Sequence, residues 1–126
     1  MTLLDTSLLI DALTGPKRSA AALRGAIQEG ERIVLPSLVL YEWLRGPRLP
    51  QELAAQESLF PSEGAIPFRW QESALSAKLY QSLRRARGRE MDIAIAACAI
   101  THEAALWTLN SGDFKDIPGL RLYIPA

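Results

Sequence analysis

Short apolar runs of strand length recur along this chain, and helix-forming sequence separates each from the next. Leu3-Leu4, Ile33-Val34-Leu35, Ala105 to Leu109 and Leu120 to Ile124 read as strands. Ala65-Ile66-Pro67-Phe68 reads as a weaker one, at an edge or irregular because Pro67 has no N–H to donate. Between them, Thr6 to about Gly15, Arg18 to Gln28, the segment LVLYEWLRG after a capping Ser37, Gln51 to Leu59, Gln71 to Arg87 and the segment MDIAIAACAITHEA carry helical patterns. Strands that alternate with helices favour an α/β fold, here a parallel sheet of about five strands flanked by helices. In such folds ligands bind beyond the carboxyl ends of the strands, where the strand order reverses. The 126 residues suit a single domain spanning 1–126.

Composition narrows the setting. No apolar run approaches the ~20 residues that span a bilayer, so no membrane association is expected. The start, MTLL, has neither a basic segment nor a small-residue cleavage site. A lone cysteine, Cys98, forms no intramolecular disulfide and suits a reducing cytoplasm. Fourteen basic and fourteen acidic side chains balance, so net charge implies no nucleic-acid partner; any such argument rests on charge distribution.

Three acids stand alone in the most apolar segments. Asp5 lies between Leu3-Leu4 and Leu8-Leu9-Ile10, Glu42 is the one acid in LVLYEWL, and Asp92 is the one charge in MDIAIAACAI. An ionised carboxylate moved out of water costs several kcal/mol unless it is paired, hydrogen-bonded or bound to metal. Each acid has an ordinary explanation. Asp5 could cap a helix, Glu42 has Arg45 three residues on, and Asp92 has Arg89 three residues before it and a favourable helix dipole. A shared cation explains all three together, along with Asp113 in the polar loop Asn110, Ser111, Asp113 after the Ala105 strand.

With one histidine (His102) and one cysteine, a zinc site built on those ligands is excluded. All-oxygen ligands favour Mg²⁺ or Mn²⁺, which complete their shell with water and substrate phosphate. Without a positioned histidine base, the nucleophile is most simply a metal-activated water, and hydrolysis of a phosphodiester fits these parts.

These residues carry a resemblance. DTSLLID at Asp5, LVLYEWLRG at Glu42, MDIAIAACAI at Asp92 and TLNSGDFKDIPGLRL at Asn110 and Asp113, in that order and across essentially the whole chain, resemble the PIN-domain nucleases. In particular they resemble the VapC-type toxins of toxin–antitoxin pairs. The resemblance implies a Mg²⁺- or Mn²⁺-dependent endoribonuclease. Asp5, Glu42 and Asp92 would be its core metal acids and Asp113 a fourth, more variable one. It further implies that Thr6 or Ser7, with Asn110, orient the first acid and a water or phosphate. A VapB-type antitoxin and a homodimer are implied as partners.

Secondary features read two ways. Arg84, Arg85, Arg87 and Arg89 could hold an RNA backbone or favour the dipole of a helix ending at Gly88. Trp43 and Trp70 could stack bases, Trp43 could instead serve packing or a dimer surface, and Trp107 reads as core. Leu53, Leu59 and Phe60 could form an interface or be buried. Two other classes compete with the nuclease. One is a non-catalytic PIN-like binding or scaffold module, which loss of an acid would signal; none is lost. The other is a Mg²⁺-dependent phosphatase or phosphotransfer domain of the haloacid-dehalogenase kind, which needs an acid two residues after the first. Ser7 stands there.

Overall fold

Thr2–Leu4 form the first strand, β1, with all three residues buried. Strands β2 (Ile33–Val34), β3 (Ala105–Trp107) and β4 (Arg121–Leu122) run parallel to it in a computed structural model that describes all 126 residues. The sheet order is β2-β1-β3-β4. Six helices flank it: α1 (Thr6–Leu13), α2 (Ala20–Gln28), α3 (Ser37–Arg45), α4 (Pro50–Leu59), α5 (Trp70–Ser82) and α6 (Glu90–Thr101). The chain moves from β1 outward to β2, then returns to add β3 on the other side of β1. The strand order therefore reverses between β1 and β3, where a binding crevice opens in folds of this type.

The sheet has four strands rather than about five. Ala65–Phe68 contributes one parallel bridge, between Pro36 and Ile66. Ile66 donates its N–H to Leu35 and accepts from the N–H of Ser37. Neither Pro36 nor Pro67 can donate to a further rung, so pairing stops at a single residue. The same bond shifts the start of α3: Pro36 occupies the capping position and Ser37 is already helical, with no side-chain cap.

Helix α5 ends at Ser82, short of the expected Arg87. Residues 83–89 form the connection, and Gly88, with φ of +85°, makes the reversal before α6. Helices α5 and α6 pack more extensively on each other than any other pair of elements. They run antiparallel, since Glu72 near the start of α5 lies beside Cys98 near the end of α6. Glu72 is fully buried and receives both a backbone and a bidentate guanidinium bond from Arg69, at 2.7 to 2.9 Å. That pairing holds its carboxyl down at about 2 despite burial.

The apolar side chains make one contiguous core through Leu3, Leu4, Leu8, Leu9, Val39, Trp43, Ile93, Ile95 and Leu106. In α6 the small residues Ala96, Ala97 and Ala99 are wholly buried, and Cys98 among them is an inert thiol pushed up to about 12 by burial. Trp43 and Trp107 are core; Arg48 covers the Trp43 ring at 4.2 Å. Trp70, by contrast, is 75% exposed. No helix is long and apolar enough to cross a membrane.

Candidate active site

Asp5 follows β1 directly and occupies the capping position of α1, yet its side chain caps no helical N–H. Its Oδ2 instead accepts hydrogen bonds from the hydroxyls of Ser7 (2.9 Å) and Thr108 (2.7 Å). Those hydroxyls are fixed in turn. Ser7 Oγ accepts from the Leu109 N–H at 3.2 Å, and Thr108 Oγ1 from the Asn110 N–H at 3.0 Å. The strand register produces this arrangement. Leu4 pairs with Trp107, so the next residues, Asp5 and Thr108, emerge side by side from the carboxyl ends of β1 and β3. A carboxylate only 5% exposed is thereby oriented through one oxygen, and Oδ1 takes no donor from the protein.

Glu42 reaches the same rim from α3, which packs against α1. Its Oε1 accepts from Thr6 Oγ1 at 2.6 Å, and its Oε2 lies 3.5 Å from Arg45, whose side chain is largely in solvent. The two neighbouring hydroxyls thus serve different acids: Ser7 orients the first and Thr6 the second. Asn110 contributes through its backbone N–H, not its side-chain amide.

Asp92 stands in the first turn of α6, among the carboxylates of the other elements. Burial pushes its carboxyl up to about 6, and the negative charges of Asp5, Asp113 and Glu42 add to the push. Arg89 opposes them weakly. Asp113, exposed on a single 3-10 turn over Ser111–Asp113, completes the ring. His102 ends α6 at the opposite edge of the sheet.

The four acids share one field without converging on one point, and no three acidic side chains are gathered tightly enough to hold an ion by themselves. Hard oxygen donors, a free Asp5 Oδ1 and a carboxyl driven toward neutrality by like charges fit Mg²⁺ or Mn²⁺. Such ions bind through one or two carboxylates and otherwise through water and phosphate.

The arginines differ from the expectation of a charged helix end, because α5 stops before them and its last turn holds no basic residue. Arg84, Arg85 and Arg87 project from the connection without an ion pair, whereas Arg89 is engaged. It bonds both oxygens of Asp116 (2.7 and 2.9 Å) and the backbone carbonyls of Asp113 (2.8 Å) and Arg85 (3.0 Å). Arg89 therefore pairs with Asp116 rather than with Asp92, and it holds Asp116 below the usual carboxylate range. Neither Thr108 nor Asp116 was evident from the sequence. For Thr108 the usable signal was a hydroxyl one residue past a predicted strand that neighbours β1.

Comparison with known proteins agrees with this geometry. The family model described as PIN domain matches residues 2–120. Ribonuclease VapC19 of Mycobacterium tuberculosis is 34% identical over 123 residues, covering 96% of this chain and 98% of that protein. A chain in the crystal structure of DNA-bound VapBC from Salmonella typhimurium superposes with a TM-score of 0.81 at 22% identity, over 97% of this chain and 96% of its own. One in the crystal structure of VapBC2 from Rickettsia felis, bound to a DNA fragment from the promoter, does so at 0.76 and 24%, with the same coverage.

Proposed function

The chain belongs to the PIN-domain family, and on that premise we propose that it is a Mg²⁺- or Mn²⁺-dependent endoribonuclease, the toxin of a toxin–antitoxin pair. Asp5, Glu42 and Asp92 are its principal metal-site acids and Asp113 the fourth. The observation that carries the proposal is the state of Asp92. A carboxyl raised to about 6 by burial and by three neighbouring acids from separate elements is a group poised for a cation. A nearly full-length relationship to a named ribonuclease supplies the substrate class.

In this reading each residue has a defined role. Ser7 and Thr108 fix the Asp5 carboxylate through Oδ2 and leave Oδ1 without a protein donor, and Thr6 fixes Glu42. Asp92 and Asp113 face the same space from α6 and the 3-10 turn. A divalent cation held there supplies acidification of water and neutralisation of phosphate charge. The ionised carboxylates accept the proton of the attacking water or orient it toward phosphorus.

A cognate VapB-type antitoxin, and a second copy of the chain, are the proposed partners. Leu53 and Leu59 on α4 are exposed beside an apolar pocket of about 270 Å³ between α1, α2 and α4, which supports a partner surface. Phe60 is buried and takes no part. The cytoplasm is the proposed compartment, consistent with a single buried thiol.

The test is cleavage of a mixed RNA pool by purified protein with Mg²⁺ or Mn²⁺. Cutting that stops in EDTA and in Asp5→Asn or Asp92→Asn is expected. Cutting that survives EDTA, or survives both substitutions, would sink the proposal. Absence of cutting with folded protein and both ions would favour the scaffold reading.

A further inference from the structure

An RNA strand that approaches this rim meets four carboxylates, and the chain as a whole offers no compensating charge, with fourteen basic and fourteen acidic residues. Phosphates repelled by the acids therefore need cations placed beside them. One pocket has that character. It is open, about 500 Å³, and lined solely by Arg84, Arg85, Arg89, Gly112, Asp113 and Asp116. Asp113 belongs at once to this pocket and to the acidic ring around Asp92.

The three arginines of the pocket are not equivalent. Arg89 spends its guanidinium on Asp116 and on the carbonyls of Asp113 and Arg85. Those bonds tie the arginine-bearing connection before α6 to the turn that carries Asp113. Arg84 and Arg85 have no acidic partner, and both are exposed. Gly112, beside Asp113, adds no side chain to the pocket. A planar guanidinium fork recognises phosphate oxygens through two parallel bonds, which suits arginine better than lysine at such a place.

We propose that this pocket is the seat for an RNA backbone phosphate flanking the one that is cut, with Arg84 and Arg85 as its ligands. Arg89 is a positioning residue that holds the pair at a fixed distance from Asp113. The proposal rests on the ribonuclease reading and adds the path by which the strand crosses the site. The strand runs from the acidic ring toward the connection between α5 and α6.

The experiment measures binding of a short unpaired oligoribonucleotide by fluorescence anisotropy across a salt series, in EDTA so that no strand is cut. Cleavage of the same strand with Mg²⁺ is measured in parallel. Loss of two phosphate contacts lowers the dependence of log K on log salt by about 1.4, and affinity near 0.15 M salt by about tenfold. Arg84→Gln with Arg85→Gln is expected to show that change and to raise KM more than it lowers kcat. Arg89→Gln is expected to weaken binding and to lower the salt dependence by less than the double variant, because Arg84 and Arg85 keep their charges while Asp116 is left without its partner. Arg89→Lys should recover part of the loss. Arg18→Gln, past the far end of α1, serves as the control and should change neither quantity.

An unchanged salt dependence in the double variant, with wild-type cleavage intact, overturns the phosphate seat alone and leaves those arginines to an acidic polypeptide partner. A salt dependence in Arg89→Gln reduced as far as in the double variant overturns the positioning role. Failure of the wild-type protein to bind or cut RNA overturns both this proposal and the reading beneath it.

Discussion

Replacing Asp92 by asparagine should stabilise the metal-free protein at neutral pH and leave its stability almost unchanged in acid. Burial and the charges of Asp5, Asp113 and Glu42 raise this carboxyl from its ordinary 3.8 to about 6. A displacement of that size disfavours the ionised form by about 3 kcal/mol. Asp92 keeps part of its surface in water, and screening there reduces the usable figure to about 1–2 kcal/mol. The sign follows from proton binding. Between about pH 4 and pH 6 the folded state holds more protons at Asp92 than the unfolded state, so stability falls as pH rises through that window. Below it the penalty is absent, and above it the penalty is complete. Asparagine removes the charge and with it the penalty. Thermal melts in EDTA should therefore show Asp92→Asn melting ~4–8 °C above wild type near pH 7.5. Near pH 4 the two curves should nearly coincide. An equal difference at both pH values would assign the effect to packing. A lower melting temperature for the variant near pH 7.5 would refute the electrostatic account of the site.

Further outcomes follow from three other contacts. Thr108→Val removes one of the two hydroxyl bonds that orient Asp5 and should lower kcat for RNA cleavage by ~10-fold or more, read under single-turnover conditions, with the fold retained. Glu72→Gln leaves Arg69 without its buried counter-charge. It should cost ~2 kcal/mol in urea unfolding, less than for a wholly buried pair because Arg69 is partly in solvent. Wild-type protein should itself lose the contribution of Glu72 as pH falls from about 4.5 through about 2, since this carboxyl is depressed. Arg48→Gln uncovers the Trp43 ring and breaks a bond to the Trp43 carbonyl, which should cost ~1 kcal/mol in the same assay.

What the sequence discloses of this molecule depends on the length scale of each interaction. The acids are legible because a lone charge in an apolar segment is anomalous within a window of a few residues. Asp5, Glu42 and Asp92 need no register to be noticed. The partners of those acids are not legible, because they are set by tertiary register. Thr108 meets Asp5 only because β1 and β3 are neighbours with Leu4 opposite Trp107. Arg89 misleads for the same reason. At three residues from Asp92 it looks like a local partner, while Asp116, 27 positions away, holds it in the folded chain. The weak strand at Ala65–Phe68 shows the converse limit. Its apolar pattern is strand-like, yet prolines on both sides of the pairing, Pro36 and Pro67, restrict it to a single bridge. Helix α5 reads too long in the sequence because Arg84–Arg87 are good helix formers. The segment instead forms a connection, from which Arg84 and Arg85 line the pocket beside Asp113.

The central claim is that the acidic rim holds a divalent cation through Asp92 and its neighbours. Calorimetric titration of the protein with Mn²⁺ near pH 6, repeated in buffers of different ionisation enthalpy, tests it directly. With Asp92 titrating at about 6, saturable binding should release about half a proton per ion. Both the binding and the proton should be lost in Asp92→Asn. No saturable binding, or binding unchanged in that variant with no proton released, would contradict the account.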